Sequence, residues 1–108
     1  LVWQCEYIIA QHDIVSFCPE VSAGMPIPRP SAEITNGSGM NVLEGQAKVI
    51  TENGQDQTHD FITAAKNTLA KCFDENIHIA ILAESSPSCG SKEIYSGEFS
   101  IQRNRVKV

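Results

Sequence analysis

The sequence has no long apolar run and little positive charge. None of its apolar stretches approaches the roughly 18–20 residues that a membrane-spanning helix needs. It shows no basic start followed by a short apolar run, so we expect no signal peptide and a cytoplasmic location. Eight lysines and arginines stand against thirteen aspartates and glutamates, for a net charge of −5. This balance argues against a general nucleic-acid binder, which carries a basic face.

Motifs for nucleotide cofactors and for disulfide scaffolds are also missing. There is no Walker-type loop and no GxGxxG, so a dinucleotide cofactor is not expected. The histidines show no metal-ligand spacing. The cysteines are far apart in sequence and form no CxxC pair: Cys5, Cys18, Cys72 and Cys89. A disulfide-stapled secreted domain is normally smaller or richer in cysteine, so we expect a reducing compartment and free thiols.

Two segments have the apolar spacing of helices. With 108 residues and 42% hydrophobic composition, the chain suits one domain with a single core. The spacing predicts a helix over 3–12 and a clearer one that begins near Asp56 or Thr58 and stops at Asn76. Cys72 lies on the apolar face of the second helix, where a free cysteine packs well, so we assign it to the core.

Short apolar runs predict the strands. Residues 14–17 and 77–82 are continuously apolar or nearly so, which is typical of buried strands in a parallel sheet. Residues 42–43 and 47–50 suggest a small hairpin, and residues 92–99 a further extended piece. We therefore predict an α/β fold with a mostly parallel central sheet flanked by helices, in a Rossmann-like three-layer domain.

Each of the two buried strands runs into a loop with a cysteine near a proline. Cys18 follows the first strand and Cys89 follows the second. Ligands of open α/β sheets bind outside the carboxyl ends of the strands, so we expect the two thiols to lie close together. Two thiolates suit a soft metal or a cluster. A lone cysteine is most often a small buried hydrophobe, so the pattern alone leaves both interpretations open.

Two stretches of sequence resemble the bacterial family called domain of unknown function 523. They are FCPEVSAGMPIPRPSAEI at residues 17–34 and AILAESSPSCGSKEIYSGEF at residues 80–99. The family pattern has a strand followed by CPE, a glycine, a PRP-like run and a nearby glutamate. Later it has a helix, an apolar strand, and SPSCG followed by IY-x-G-x-F. The resemblance extends over most of the chain, and neither motif is a general signal of a fold.

The resemblance implies a thiouracil desulfidase with a [4Fe–4S] cluster held by three cysteines. One iron stays open for the substrate sulfur, and water replaces that sulfur without net redox change. By position, Cys18 and Cys89 match two of the three ligands. The third belongs to an N-terminal motif that this sequence lacks, and Cys5 does not replace it. We assign residues 1–108 to a single domain. We also expect a segment that the family carries to be missing between Ser100 and Ile101.

Five further side chains are candidates for the site. Glu20 is a candidate proton donor or acceptor, or a positioner of the attacking water; its alternative role is a capping or solvated carboxylate. We expect Ser86 and Ser88 to contact the substrate or a cluster sulfur, although Ser-Pro-Ser also suits a simple turn. Arg29, fixed between prolines, and Glu33 are predicted substrate contacts, and Arg29 can instead pair with Glu20 or Glu33.

The sequence as a whole predicts iron–sulfur-dependent, non-redox desulfuration of a thiolated pyrimidine such as thiouracil. The alternatives are a module that binds a metal or cluster without turnover, and a scaffold whose cysteines are inert. The acidic charge favours a small-molecule partner over RNA. No feature of the sequence indicates an oligomeric state.

Overall fold

A computed structural model describes residues 9–83, 86–90, 93–95 and 105–107. The elements of these residues, in chain order, are α1 (Pro19–Ser22), β1 (Ala32–Thr35), α2 (Gly39–Leu43), β2 (Lys48–Thr51), α3 (Thr58–Asp74), β3 (Glu93–Tyr95) and β4 (Arg105–Lys107). Residues 9–11 are also helical, in agreement with the end of the helix predicted over 3–12. The rest of that prediction lies outside the described residues. The assignment of the whole chain to one domain stays a prediction.

The strands form two small antiparallel sheets. In the first, Ala32 of β1 lies opposite Thr51 of β2, and in the second, Glu93 of β3 lies opposite Lys107 of β4. The described residues thus form a small α/β arrangement with antiparallel pairs, and the mostly parallel, Rossmann-like sheet expected from the sequence is not seen among them. No helix in the described part of the chain combines the length and apolar character needed to span a bilayer.

Neither of the two predicted buried strands is a strand in the structure. Residues 14–17 and 77–82 run without strand pairing, and several of their apolar side chains are exposed; Ile79 is 67% exposed. A strand needs a neighbour to pair its backbone N–H and C=O groups. Among the described residues neither segment has such a neighbour. The apolar composition was therefore a poor guide to pairing.

The predicted hairpin is also wrong in one of its halves. The structure confirms a strand close to residues 47–50, namely β2, but its partner is β1, and residues 42–43 belong to helix α2. The start of α2 explains this, because the backbone N–H of Ser38 donates to Asn41 Oδ1 at 2.9 Å, one half of a capping box. Gly37 allows that approach, since a Cβ there would lie 2.6 Å from Asn41 Oδ1.

Helix α3 agrees with its prediction at both ends. Asp56 Oδ1 accepts hydrogen bonds from the backbone N–H of Thr58 at 2.9 Å and from its hydroxyl at 2.6 Å, which satisfies a free donor at the start of the helix. Asn76 has a φ of 51°, which is the left-handed conformation that stops a helix. The core forms where α3 covers the β1–β2 sheet, and its buried residues are Met25, Ile34, Val42, Ala47, Val49 and Phe61.

Candidate active site

Cys18 and Glu20 are placed by the short helix α1. Cys18 is the N-cap of this helix, and Pro19 occupies its first turn, where the missing N–H of proline is tolerated. Helix α1 is held against α3 because Asn67 Nδ2 donates to the backbone oxygen of Ser22 at 3.2 Å and lies 3.3 Å from its hydroxyl. The sequence offered no signal for this role of Asn67. The attachment fixes the direction in which the Glu20 side chain leaves the helix.

The guanidinium of Arg29 contacts three groups of the same chain segment. Its Nε donates to Glu20 Oε1 at 2.9 Å, and its Nη1 donates to the backbone oxygen of Pro26 at 3.2 Å. Its Nη2 lies 3.9 Å from the sulfur of Cys18, at the long end of the range for a donor to sulfur. The side chains of Arg29 and Glu20 are 23% and 17% exposed, so this ion pair is largely shielded from water.

The neighbours of Arg29 favour its charged form. The hydrogen bond to Glu20 is the main reason that the pKa of Arg29 is raised above its ordinary value, and the nearby charges of Glu20 and Cys18 act in the same direction. Partial burial opposes the charge but is the weaker effect. Arg29 is therefore a permanent cation at this place, and it holds one oxygen of the Glu20 carboxylate in a fixed position.

Ser88 contacts the other oxygen of that carboxylate. Its hydroxyl donates to Glu20 Oε2 at 2.9 Å and lies 3.6 Å from the sulfur of Cys89. Ser86 Oγ lies 3.2 Å from Ser88 Oγ, and the backbone oxygen of Ser86 accepts from the N–H of Gly90 at 2.7 Å. This tight turn directs the Ser88 hydroxyl at Glu20.

Together these contacts form one continuous polar chain. It runs from Cys18 to Arg29, to Glu20, to Ser88 and to Cys89, and Glu20 stands at its centre. The chain joins the CPE and SPSCG loops, which the sequence placed at a common sheet edge. Parallel strands are not what brings them together in the described residues; the hydrogen bond between Ser88 and Glu20 connects them directly.

Glu33, the other predicted substrate contact, occupies a different environment. It lies on strand β1, its residue is 2% exposed, and it already has an interaction partner. A carboxylate this deeply buried reaches a ligand only if the ligand enters the interior of the protein. A direct contact between Glu33 and a substrate stays a prediction.

The thiols of the site are free and accessible. Cys18 is exposed and Cys89 is half-buried, so neither is enclosed in the core. Cys72 on α3 is also free, but it is half-buried and not part of the core to which the sequence assigned it. The described residues contain no group of three or more histidine, cysteine or acidic side chains arranged to hold a metal ion. Cys18 and Cys89 can therefore supply two ligands of soft, thiolate character, and a further ligand would have to come from elsewhere.

A small apolar cavity adjoins the loop of Ser88. Its volume is about 140 Å³, and its walls include Ile34, Val42, Val49 and Phe61, with Ser88 as its polar contact. An apolar cavity of about 150 Å³ is large enough to take up a benzene molecule, so the space is that of a single six-membered ring. Its walls come from separate elements, and for that reason no local sequence pattern indicates it.

Taken together, the fold and the site define a small α/β protein with two accessible thiols at either end of an Arg–Glu–Ser hydrogen-bonded chain. The chain belongs to the 2-thiouracil desulfurase family, whose sequence pattern it matches over residues 3–107. This membership confirms the resemblance of the CPE and SPSCG motifs.

Two known proteins are similar to this chain. It is 43% identical over 93 residues to the uncharacterised protein YbbK of Bacillus subtilis (strain 168), an alignment that covers 86% of this chain and 62% of YbbK. Its structure is similar to that of TudS, a [4Fe–4S]-dependent thiouracil desulfidase, with a TM-score of 0.76 and 36% identity, covering 97% of this chain and 62% of the TudS chain. The chain thus spans about three fifths of the length of these two relatives.

Proposed function

We propose that this protein is a cytoplasmic desulfidase that replaces the sulfur of a thiolated pyrimidine, such as thiouracil, with oxygen from water. One water is consumed and one hydrogen sulfide is released in each turnover, with no net oxidation or reduction. The observation that carries the proposal is the polar chain from Cys18 through Glu20 to Cys89, because it joins two free thiols to a carboxylate. Membership of the 2-thiouracil desulfurase family supports the choice of substrate.

The donor set of the site fits an iron–sulfur cluster as two of its ligands. Cysteine thiolates are the usual ligands of such clusters, and Cys18 and Cys89 are both free and at least partly accessible. The structural neighbour TudS, which is [4Fe–4S]-dependent, supports the same cofactor here. When bound, the cluster supplies a Lewis-acidic iron that binds the sulfur of the substrate. The third ligand would lie outside the described residues.

We assign the proton transfers of the reaction to Glu20. Its Oε1 is held by Arg29, which leaves Oε2 as the oxygen shared with Ser88. In our proposal this carboxylate accepts a proton from the attacking water, the role of a positioned general base. The Ser88 hydroxyl lies between Glu20 and the sulfur of Cys89, so it holds Oε2 of the carboxylate beside a proposed ligand sulfur. Ser86 supports Ser88 through their hydroxyl contact.

The site favours a small pyrimidine over RNA. The cavity beside Ser88, about 140 Å³ in volume, suits one pyrimidine ring. Because the other side chains of its walls are apolar, the amide groups of a pyrimidine bound there would find a side-chain hydrogen-bond partner at Ser88. The net charge of −5 also opposes a polyanionic partner.

Anaerobic reconstitution with iron and sulfide tests the proposal. The wild-type protein is expected to become brown and to release sulfide and uracil from 2-thiouracil. Cys18→Ala and Cys89→Ala are expected to lose the cluster absorption and the activity together, because each removes a ligand. Cys72→Ala is the matched control, since Cys72 is a free thiol on α3 outside the polar chain, and it should retain both.

Glu20→Gln separates the enzyme from a binding module. It should keep the cluster absorption and lose about 10²–10⁴-fold in kcat, the usual contribution of a positioned general base. A wild-type protein that binds a cluster but releases no sulfide would instead identify a binding module without turnover. A wild-type protein that binds zinc alone, or no metal, would refute the cluster and the desulfidase with it.

A further inference from the structure

We propose that Arg29 is a positioning residue that connects the two functions of the site: it holds the Glu20 carboxylate through Nε and hydrogen-bonds the cluster-ligand sulfur of Cys18 through Nη2. The inference rests on the proposed function, because Cys18 is a cluster ligand only there. It differs from the substrate contact that the sequence suggests for Arg29. In this inference Arg29, which lies between two prolines, binds groups of its own chain and not the substrate.

All three nitrogens of the Arg29 guanidinium already have partners within the chain. Nε contacts Glu20 at 2.9 Å, Nη1 contacts the Pro26 oxygen at 3.2 Å, and Nη2 lies 3.9 Å from Cys18 Sγ. The Arg29 side chain is only 23% exposed. The planar group is fixed by a contact at each nitrogen, and the one to Pro26 sets its orientation.

The contact with Cys18 has a definite physical consequence for a cluster. Hydrogen bonds to the sulfur ligands of an iron–sulfur cluster help to set its reduction potential. The reason is electrostatic, since a donor near sulfur stabilises the additional negative charge of the reduced form. Arg29 also carries a full positive charge, which acts in the same direction. Removing Arg29 should therefore make reduction of the cluster harder, and the midpoint potential more negative.

Lysine is not expected to replace arginine here. The guanidinium presents several donors in a rigid planar fork, whereas the lysine ammonium is one compact charge on a flexible stem. A lysine at position 29 that paired with Glu20 would leave the Pro26 oxygen and the Cys18 sulfur without the donors they now have. Arg29→Lys should thus keep the charge and lose the contact with sulfur.

Redox titration of the reconstituted protein is the first test. Arg29→Gln should shift the midpoint potential of the cluster to a more negative value. Lys71→Gln is the matched control, since it removes one positive charge from an exposed ion pair with Glu75, and it should leave the potential unchanged. Arg29→Gln should also lower kcat for 2-thiouracil more than it raises KM, because Glu20 loses its support. An unchanged potential in Arg29→Gln would overturn the inference.

A second test takes its first result from the wild-type protein, so that result does not depend on how well a variant folds. The protein is labelled with ¹⁵N-arginine, reconstituted and reduced, and studied by pulsed electron paramagnetic resonance. A weak ¹⁵N coupling to the reduced cluster is expected, and it should disappear in Arg29→Lys. If the wild-type cluster forms and shows no arginine coupling, Arg29 does not contact the ligand sulfur. If the wild-type protein forms no cluster at all, the proposed function fails, and this inference fails with it.

Discussion

The hydrogen bond between Ser88 and Glu20 should make a measurable contribution to stability. Glu20 accepts charge-assisted bonds from Ser88 and Arg29, each at 2.9 Å. A hydrogen bond to a charged group contributes about 1.5–3 kcal/mol when it is shielded from water. Because Glu20 is 17% exposed and glutamine keeps one acceptor, we expect Glu20→Gln to lower the free energy of unfolding by about 1–2 kcal/mol. In a domain of this size each kcal/mol corresponds to about 4 °C in Tm.

A double-mutant cycle isolates the bond itself. Glu20→Gln, Ser88→Ala and the double variant are unfolded in urea, and the coupling free energy between the two sites should be about 1 kcal/mol. The exposed pair of Lys71 and Glu75, at 3.4 Å, is the control cycle and should show a coupling of at most about 0.5 kcal/mol. If the effects at Glu20 and Ser88 add to within about 0.3 kcal/mol, the two loops are not joined by this bond and the site geometry is wrong.

Two further predictions concern helix α3. Phe61 is 6% exposed, so Phe61→Ala should lower the free energy of unfolding by about 3–5 kcal/mol. Phe73 is 75% exposed, so Phe73→Ala should change this free energy by less than about 0.5 kcal/mol. Equal effects of the two substitutions in urea unfolding would contradict the burial of Phe61. Hydrogen bonds from Thr58 hold the pKa of Asp56 below its ordinary value of 3.8. The ionised carboxylate thus stabilises the protein above that value, and the contribution is lost as the pH falls through the lower pKa of the folded state. Unfolding curves of Asp56→Asn should accordingly show a weaker loss of stability between about pH 5 and pH 2, and an unchanged pH dependence would contradict the contact.

Local signals in the sequence predicted some elements well. Helix α3 spans 17 residues with apolar positions at helical spacing, so its existence and both of its ends could be predicted. Helix α2 was missed because two adjacent apolar residues, Val42 and Leu43, fit a short strand or a helix equally well. The signal that would have separated them was polar: Ser38 followed three residues later by Asn41, a variant of the capping box.

Sheet pairing was beyond the reach of the sequence pattern. The apolar run at residues 77–82 indicates a strand, but a strand exists only with a partner, and the choice of partner depends on the whole chain. The approach of the CPE and SPSCG loops was nevertheless expected, although from a shared edge of a parallel sheet that the described residues do not show. No sequence pattern predicts the contact that joins the two loops, which is the hydrogen bond from the Ser88 hydroxyl to the carboxylate of Glu20. Such pairings depend on side-chain directions that are set only by the folded structure.

The most direct test of the account is to locate iron in crystals of the reconstituted protein by anomalous diffraction at the iron absorption edge. The account predicts one iron–sulfur cluster bonded to both Cys18 Sγ and Cys89 Sγ, with the Glu20 carboxylate beside it. Iron bonded to only one of these sulfurs, or to neither, would contradict it.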